Sequence, residues 1–301
     1  MSDNIYSINT HPDHKAMNVN SSPKPSLQAR TSRPQTMKTF FFLFAFLFAG
    51  CGKGINTRNY LTPGEINGIQ LWLDASFYRT LGASDGTDIF TQYGTGHTWN
   101  GANGFGFSIS LTTGTGADPM FRENRCPKGH PSVDFSNASF YENTSFNLSQ
   151  DALTGVTIFA ILSHGTDIAQ GHLGITSSLA YTGADQFIKF GQGAASFTTF
   201  EINDGATTAS VQFAAATDFR TYQLWWSQPE GLMEVVEIAG DTLTRHATNT
   251  SISSISPNGF LQIGYNINGY SNAEICEIIA FNRALDPEEI ENMQTYINEK
   301  Y

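Results

Sequence analysis

Two carboxylates held a few ångströms apart on one face can hydrolyse a glycosidic bond, one as acid and the other as nucleophile or base. The nearest approach to such a pair here is Met233-Glu234-Val235-Val236-Glu237. On a β-strand, side chains three positions apart point to opposite faces, so Glu234 and Glu237 cannot act on one substrate. Glu201-Ile202-Asn203-Asp204 has the same defect and runs straight into an Asp-Gly turn. The histidines do not supply an alternative. His97, His130, His164, His172 and His246 are scattered, with no His-Glu-x-x-His and no paired metal spacing. His164 and His172 flank a turn and are near enough to meet, but two loop histidines are expected to meet solvent. The sequence speaks against catalysis.

Chemistry of another kind is written in the aromatic residues. Trp225 and Trp226 are adjacent, and consecutive strand side chains face opposite ways. If Tyr222, Leu224 and Trp226 share the core face, Trp225 and Gln223 lie on the outer face of their sheet. An outward indole is a candidate platform on which the C–H face of a sugar can stack, set against the more ordinary case of a ring lying under a loop. Tyr265, Asn268 and Tyr270 form a second aromatic-polar cluster. A third is Trp99, Asn100 and Asn103, set within a glycine-punctuated stretch from Gly82 to Pro119 that reads as a rim loop.

These residues need strands to hold them, and the composition provides for strands. Hydrophobic residues make up 40%, aromatics 13% and charged residues only 14%, against an ordinary share of about a quarter for charge. Gly 28 and Phe 23 describe a turn-rich β protein. Net charge is -11; five of the 16 basic residues and two of the 27 acidic ones precede position 51, which leaves −14 over residues 51–301. Nucleic acid is excluded as a partner, since phosphate binding needs basic patches.

The chain divides into four stretches. Residues 1–36, rich in Ser, Pro, Asn and Thr, read as disordered or as a mis-assigned extension. Residues 37–51 have a basic start, the apolar run Phe40–Phe48 and the small pair Ala49-Gly50 before Cys51. This is a secretory signal, too short to span a bilayer. It resembles a bacterial lipobox, with Phe48 where leucine is usual, and the resemblance implies lipidation at Cys51. Translation is then expected to begin at Met37. Residues 52–62 are a polar tether, and residues 63–301 one domain.

Within that domain Ile69, Leu71 and Leu73 alternate with Gln70, Trp72 and Asp74 on a first strand. Val156–Leu162 is nearly continuous in apolar character and reads as a central strand. Segments 187–190, 196–202, 210–213, 222–226, 232–238 and 260–264 follow as strands. The end is the most legible part. Ile275, Ile278, Ile279 and Phe281 mark a last strand, and Asp286 is an N-cap with Pro287 at the first helical position. Leu285 and Ile290 have the spacing of a hydrophobic staple, and Ile290, Met293 and Ile297 make a narrow apolar stripe. Such a helix lies on a surface.

The segment AEICEIIAFNRALDPEEIENMQTYINEKY resembles the closing segment of the laminin-G-like, concanavalin A-like jelly rolls of bacterial surface proteins. GIQLWLDAS (68–76) resembles their first strand, and HPSVDFSNASFYE (130–142) an early one. The resemblance covers residues 63–301 and implies an all-β, two-sheet antiparallel jelly-roll sandwich with a short C-terminal helix. It lacks the Glu-x-Asp-x-(x)-Glu strand of the laminarinase-type relatives. The resemblance says little about the ligand; with no carboxylate pair and an aromatic expected on the outer face, the expectation is a non-catalytic, surface-displayed module binding a glycan or surface polysaccharide. An adhesion module recognising protein is the alternative, and a glucanase-type hydrolase ranks below both. The candidate ligand-binding residues are those of the three aromatic clusters. No cofactor is specified, and calcium remains open. The expected location is the cell envelope, with the membrane reached only through the lipid anchor. Cys126 and Cys276 are left as a disulfide pair or as one loop thiol and one buried thiol.

Overall fold

The structure, a computed structural model, describes residues 60–76, 98–100, 110–113, 119–136, 138–165, 170–193 and 197–301. The expectations for residues 1–36, for the signal segment with Cys51, for most of the tether and for Asn103 lie outside the described residues.

Eighteen strands, one α-helix and two short 3-10 helices, Pro63–Glu65 and Pro127–Gly129, form the described domain. The first strands are β1 (Ile69–Asp74), β2 (Thr98–Asn100), β3 (Ser110–Thr113), β4 (Met120–Arg122), β5 (Ser132–Asp134) and β6 (Tyr141–Phe146). Then come β7 (Gly155–Ser163), β8 (Gln170–Thr176), β9 (Gln186–Gln192), β10 (Phe197–Asp204), β11 (Thr208–Ala214) and β12 (Phe219–Ser227). The chain closes with β13 (Leu232–Ala239), β14 (Thr242–Asn249), β15 (Gly259–Ile263), β16 (Tyr265–Asn266), β17 (Gly269–Tyr270), β18 (Glu274–Phe281) and helix α1 (Pro287–Lys300).

Two antiparallel sheets of eight strands make a jelly-roll sandwich. The first has the order β14-β13-β12-β7-β18-β5-β4, with β1 also paired to β18; the second runs β11-β10-β9-β8-β15-β6-β3-β2. The core between them takes alternate residues from both, such as Leu71, Ile158, Tyr222, Leu224, Trp226 and Ile278 from the first and Phe190, Phe200 and Leu261 from the second. The continuous apolar run of β7 has a direct cause: the strand is central, with the inter-sheet core on one face and a further buried layer on the other.

That further layer lies on the outer face of the first sheet, beneath α1. It contains Ile69, Trp72, Phe159, Ile279, Phe281 and Met293, among others. Strict alternation would group Ile69 with Leu71 and Leu73, but a register shift between Ile69 and Leu71 turns Ile69 to the outer layer. The helix starts as its sequence requires. Asp286 accepts a hydrogen bond from the backbone N–H of Glu289, and the Glu289 side chain accepts from the N–H of Asp286, a reciprocal cap. Met293 and Ile297 are buried and Ile290 partly so.

The rim loop expected around Trp99 is corrected. Thr98–Asn100 pairs with β3, and alternation turns the Trp99 ring inward, where it is fully buried against Tyr141 at 5.8 Å. A buried ring offers no stacking surface to a ligand in solution. Asn100 stands in the same short strand.

Candidate functional site

The outer face of the first sheet carries a groove of about 840 Å³ beside the N-terminal end of α1. Strand β12 supplies its floor through Gln223, Trp225 and Ser227, which share a face by alternation. Strand β13 adds Leu232 and Glu234, and β14 adds Leu243 and Arg245. The opposite wall is the segment Ala284–Pro287 with Ile290, Glu291 and Gln294 of α1. The register aligns these groups: Trp225 stands opposite Glu234, and Val236 opposite Arg245.

The two tryptophans separate as alternation requires, Trp226 into the inter-sheet core and Trp225 to the outer face. An openly displayed Trp225 platform is corrected, however. The ring is only 9% exposed, because the lead-in to α1 lies over it and the Leu285 carbonyl accepts a hydrogen bond from Nε1 at 3.2 Å. Thr157 of β7 fixes that lead-in, donating to the Arg283 carbonyl at 3.1 Å and accepting from the Leu285 N–H at 2.9 Å. Trp225 is part of a groove floor, with one edge open to a ligand.

Polar groups stand around it. Gln223 is 1% exposed, and its Oε1 accepts from Gln294 Nε2 at 2.8 Å. Gln223 and Ser227, both almost wholly buried, present their polar side chains to the groove lining. Arg245 holds Glu234 with both carboxylate oxygens at 3.0 and 3.1 Å. Glu237 points to the other face and pairs with Arg220 at 3.2 Å, so the two glutamates do not converge. The groove residues that the sequence reading missed include Ser227, Glu230, Arg245, Gln294 and Glu291. Gln294 and Glu291 flank the Ile290 stripe, a signal that was available; Arg245 lies on a strand with no apolar period.

The second cluster is a small hairpin, β16–β17. Tyr265 and Tyr270 face each other at 5.0 Å, with Phe140 at 5.2 and 5.9 Å from their centroids. Tyr270 is 41% exposed and the neighbouring Ile267 48%. Asn268 stands in the turn and donates its N–H to Asn266 Oδ1 at 2.8 Å. Asn266, unmarked in the sequence, anchors the hairpin by donating Nδ2 to the carbonyls of Leu173 and Phe190. Gly171 makes room for it, since a Cβ there would lie 2.2 Å from the Asn266 nitrogen.

Two buried polar clusters flank these surfaces. His164 and His172 were expected in solvent; both are buried, with His172 Nε2 and His164 Nδ1 2.7 Å apart. The chain continues to Tyr222 Oη at 2.9 Å from His164 Nε2 and to Ser271 Oγ at 2.8 Å from His172 Nδ1. Burial pushes His164 down to about 4, and burial with the neighbouring ring holds His172 well below its ordinary range. One proton per bond satisfies the chain with both rings neutral. The other cluster lies under the C-terminal end of α1. Asp74 and Glu277 are paired neighbours on β1 and β18, both fully buried, and Lys300 Nζ reaches them at 2.5 and 2.8 Å. Trp72 Nε1 and Tyr296 Oη also donate to Glu277, at 2.6 and 2.8 Å. Here two carboxylates do converge, but no substrate reaches them.

Cys126 and Cys276 are joined as a disulfide across Cα positions 6.1 Å apart, tying the loop before β5 to β18. Among the described residues no three His, Cys, Asp or Glu side chains gather as a metal site. Among the described residues no helix is long and apolar enough to cross a membrane.

No protein-family model matches the sequence. No curated protein matches it either. Among solved structures, the binding domain of botulinum neurotoxin DC in complex with SialylT is similar, with a TM-score of 0.51 at 10% identity over 79% of this chain and 52% of that one. A structure titled for the dependence of botulinum neurotoxin type C cell entry on two ganglioside molecules gives 0.51 and 10% over 77% and 51%. The chain spans about half the length of these structures. At such identity the likeness shows the sandwich fold alone.

Proposed function

We propose that the domain is a non-catalytic glycan-binding module and that the Trp225 groove is its binding site. The observation that carries this reading is the groove floor. An indole edge lies beside the Gln223 amide and the Ser227 hydroxyl, polar groups of almost wholly buried residues that line the groove. Polar groups set beside an aromatic ring in a groove lining are the positions that orient a ligand. A sugar presents what suits them: hydroxyl oxygens to accept from an amide, next to an apolar C–H face for the ring. The botulinum binding domains that share the sandwich are described with SialylT and with gangliosides, which is support by analogy of fold. A glycan-array screen of the protein, followed by titration of Ser227→Leu, tests the reading. Binding that Ser227→Leu abolishes without changing the melting temperature supports it, and binding that this variant leaves intact places the ligand elsewhere.

A second reading, recognition of protein, is favoured by one feature, the exposed Ile267 and Tyr270 on the β16–β17 hairpin. Loss of a protein partner on Ile267→Asp would support it. For display at the cell envelope we propose lipidation at Cys51, following the apolar run and small pair before it. Fatty-acid labelling that persists in Cys51→Ser would remove that proposal.

A further inference from the structure

The charges around the groove are unbalanced, and they bear on which sugar it takes. Glu234 is neutralised by its two-point contact with Arg245. Glu230, Asp286 and Glu291 remain in the lining. Asp286 is partly answered by the helix N-terminus it caps. The carboxylates of Glu230 and Glu291 are exposed and make no ion pair among the described residues. The chain as a whole is at -11, so no distant basic field offsets them. A ligand entering over Trp225 therefore meets net negative charge at the rim and neutral polar groups on the floor.

We propose that this groove selects an amine-bearing saccharide, such as a glucosamine oligomer, and turns away carboxylate-bearing sugars. The inference rests on the glycan-binding reading of the same groove and adds the charge of the ligand to it. The sugar hydroxyls take the Gln223 and Ser227 positions, the ring lies along the Trp225 edge, and the ammonium faces Glu230 and Glu291. The selection runs against the sialylated and ganglioside ligands of the fold-sharing botulinum domains, because a sialic acid carboxylate would face those same two glutamates. Complementary charge at a rim governs which partner is admitted more than how tightly it is held.

The test is calorimetric titration of the full chain with a glucosamine oligomer, its N-acetylated counterpart, sialyllactose and a lysine-rich peptide. At low salt the glucosamine oligomer should bind about fivefold tighter than the N-acetylated one, as two exposed ion pairs allow. High salt should close that gap. The double variant Glu230→Gln/Glu291→Gln should also close it, while Glu123→Gln/Asp241→Asn, away from the groove, should leave it intact. Equal binding of the two oligomers with no effect of either variant overturns the amine selection and leaves the groove reading standing. A gap closed equally by both variants shows diffuse attraction and overturns the selection. So does tighter binding by sialyllactose, or by the peptide. If no saccharide binds, the groove reading falls with it.

Discussion

The two buried polar clusters solve one problem in opposite ways. Between the sheets, His164, His172, Tyr222 and Ser271 form a hydrogen-bonded chain with no formal charge. On the outer face, Asp74, Glu277 and Lys300 bury charge under a helix. Both stand where two structural layers meet, and the partners come from distant parts of the sequence. Their responses to protons should have opposite signs. The histidines are held below their ordinary value, so their contribution is fully present above about 6.5 and is lost as pH falls toward the folded-state value. At Lys300 burial alone would favour the neutral amine, but Glu277 and Asp74 overcome it and raise the group above its ordinary 10.5. That contribution is full below 10.5 and is lost as pH rises through the folded-state value. Glu277, raised by burial and by Asp74, has the same sign. The histidine chain loses its contribution on the acid side, and Lys300 loses its own on the alkaline side.

The largest effect should come from breaking the charged cluster. Lys300→Met leaves two fully buried carboxylates without their cation and should cost about 3–5 kcal/mol in urea unfolding. The groove lies at the other end of α1, so this variant also asks whether one clamp holds the whole helix. If Lys300→Met unfolds with an unchanged midpoint, the cluster is ornamental and the comparison collapses. The neutral chain should respond next. Lowering the pH from 7 to 4 should remove about 3 kcal/mol through His164 alone. His164→Gln should remove its own share of that slope and leave the share of buried His172, and a slope that is unchanged in the variant would assign the acid response elsewhere.

Neither cluster was legible in the sequence, and the reason is physical. The legible elements were those whose signal is local. The Asp286 cap, Pro287 and the stripe Ile290, Met293 and Ile297 specify α1 within fifteen residues, and β7 announces its central place by burying both faces. Trp225 and Trp226 separated as strand alternation demands. What alternation could not give was the lead-in around Leu285 lying across Trp225, a contact between residues 60 apart. Strand β8 was missed because Gly171 and Gly174, which carry no strand signal, are there to admit Asn266 and Tyr181. Strand β14 was missed because its residues are largely exposed, which removes the apolar period. Asp74 pairs with Glu277 across some two hundred positions, and a register shift at Cys276 sets which side chains of β18 share the outer face.

The smallest prediction separates hydrogen bonding from burial within the neutral chain. Tyr222→Phe keeps the ring that packs against Phe190 and Phe213 and removes only the hydroxyl 2.9 Å from His164. Thr198 Oγ1, at 3.4 Å, is the nearest substitute and a poor one. The loss should be about 1 kcal/mol at pH 7, the ordinary net worth of one hydrogen bond. The acid slope, by contrast, comes from moving an imidazole out of water, and the ring of Phe keeps water out as well as that of Tyr. Wild type and Tyr222→Phe should therefore give parallel curves of stability against pH, offset by that amount. If the variant loses the slope as well, water has entered with the hydroxyl gone. The histidines would then owe their neutrality to Tyr222 itself rather than to the core around them.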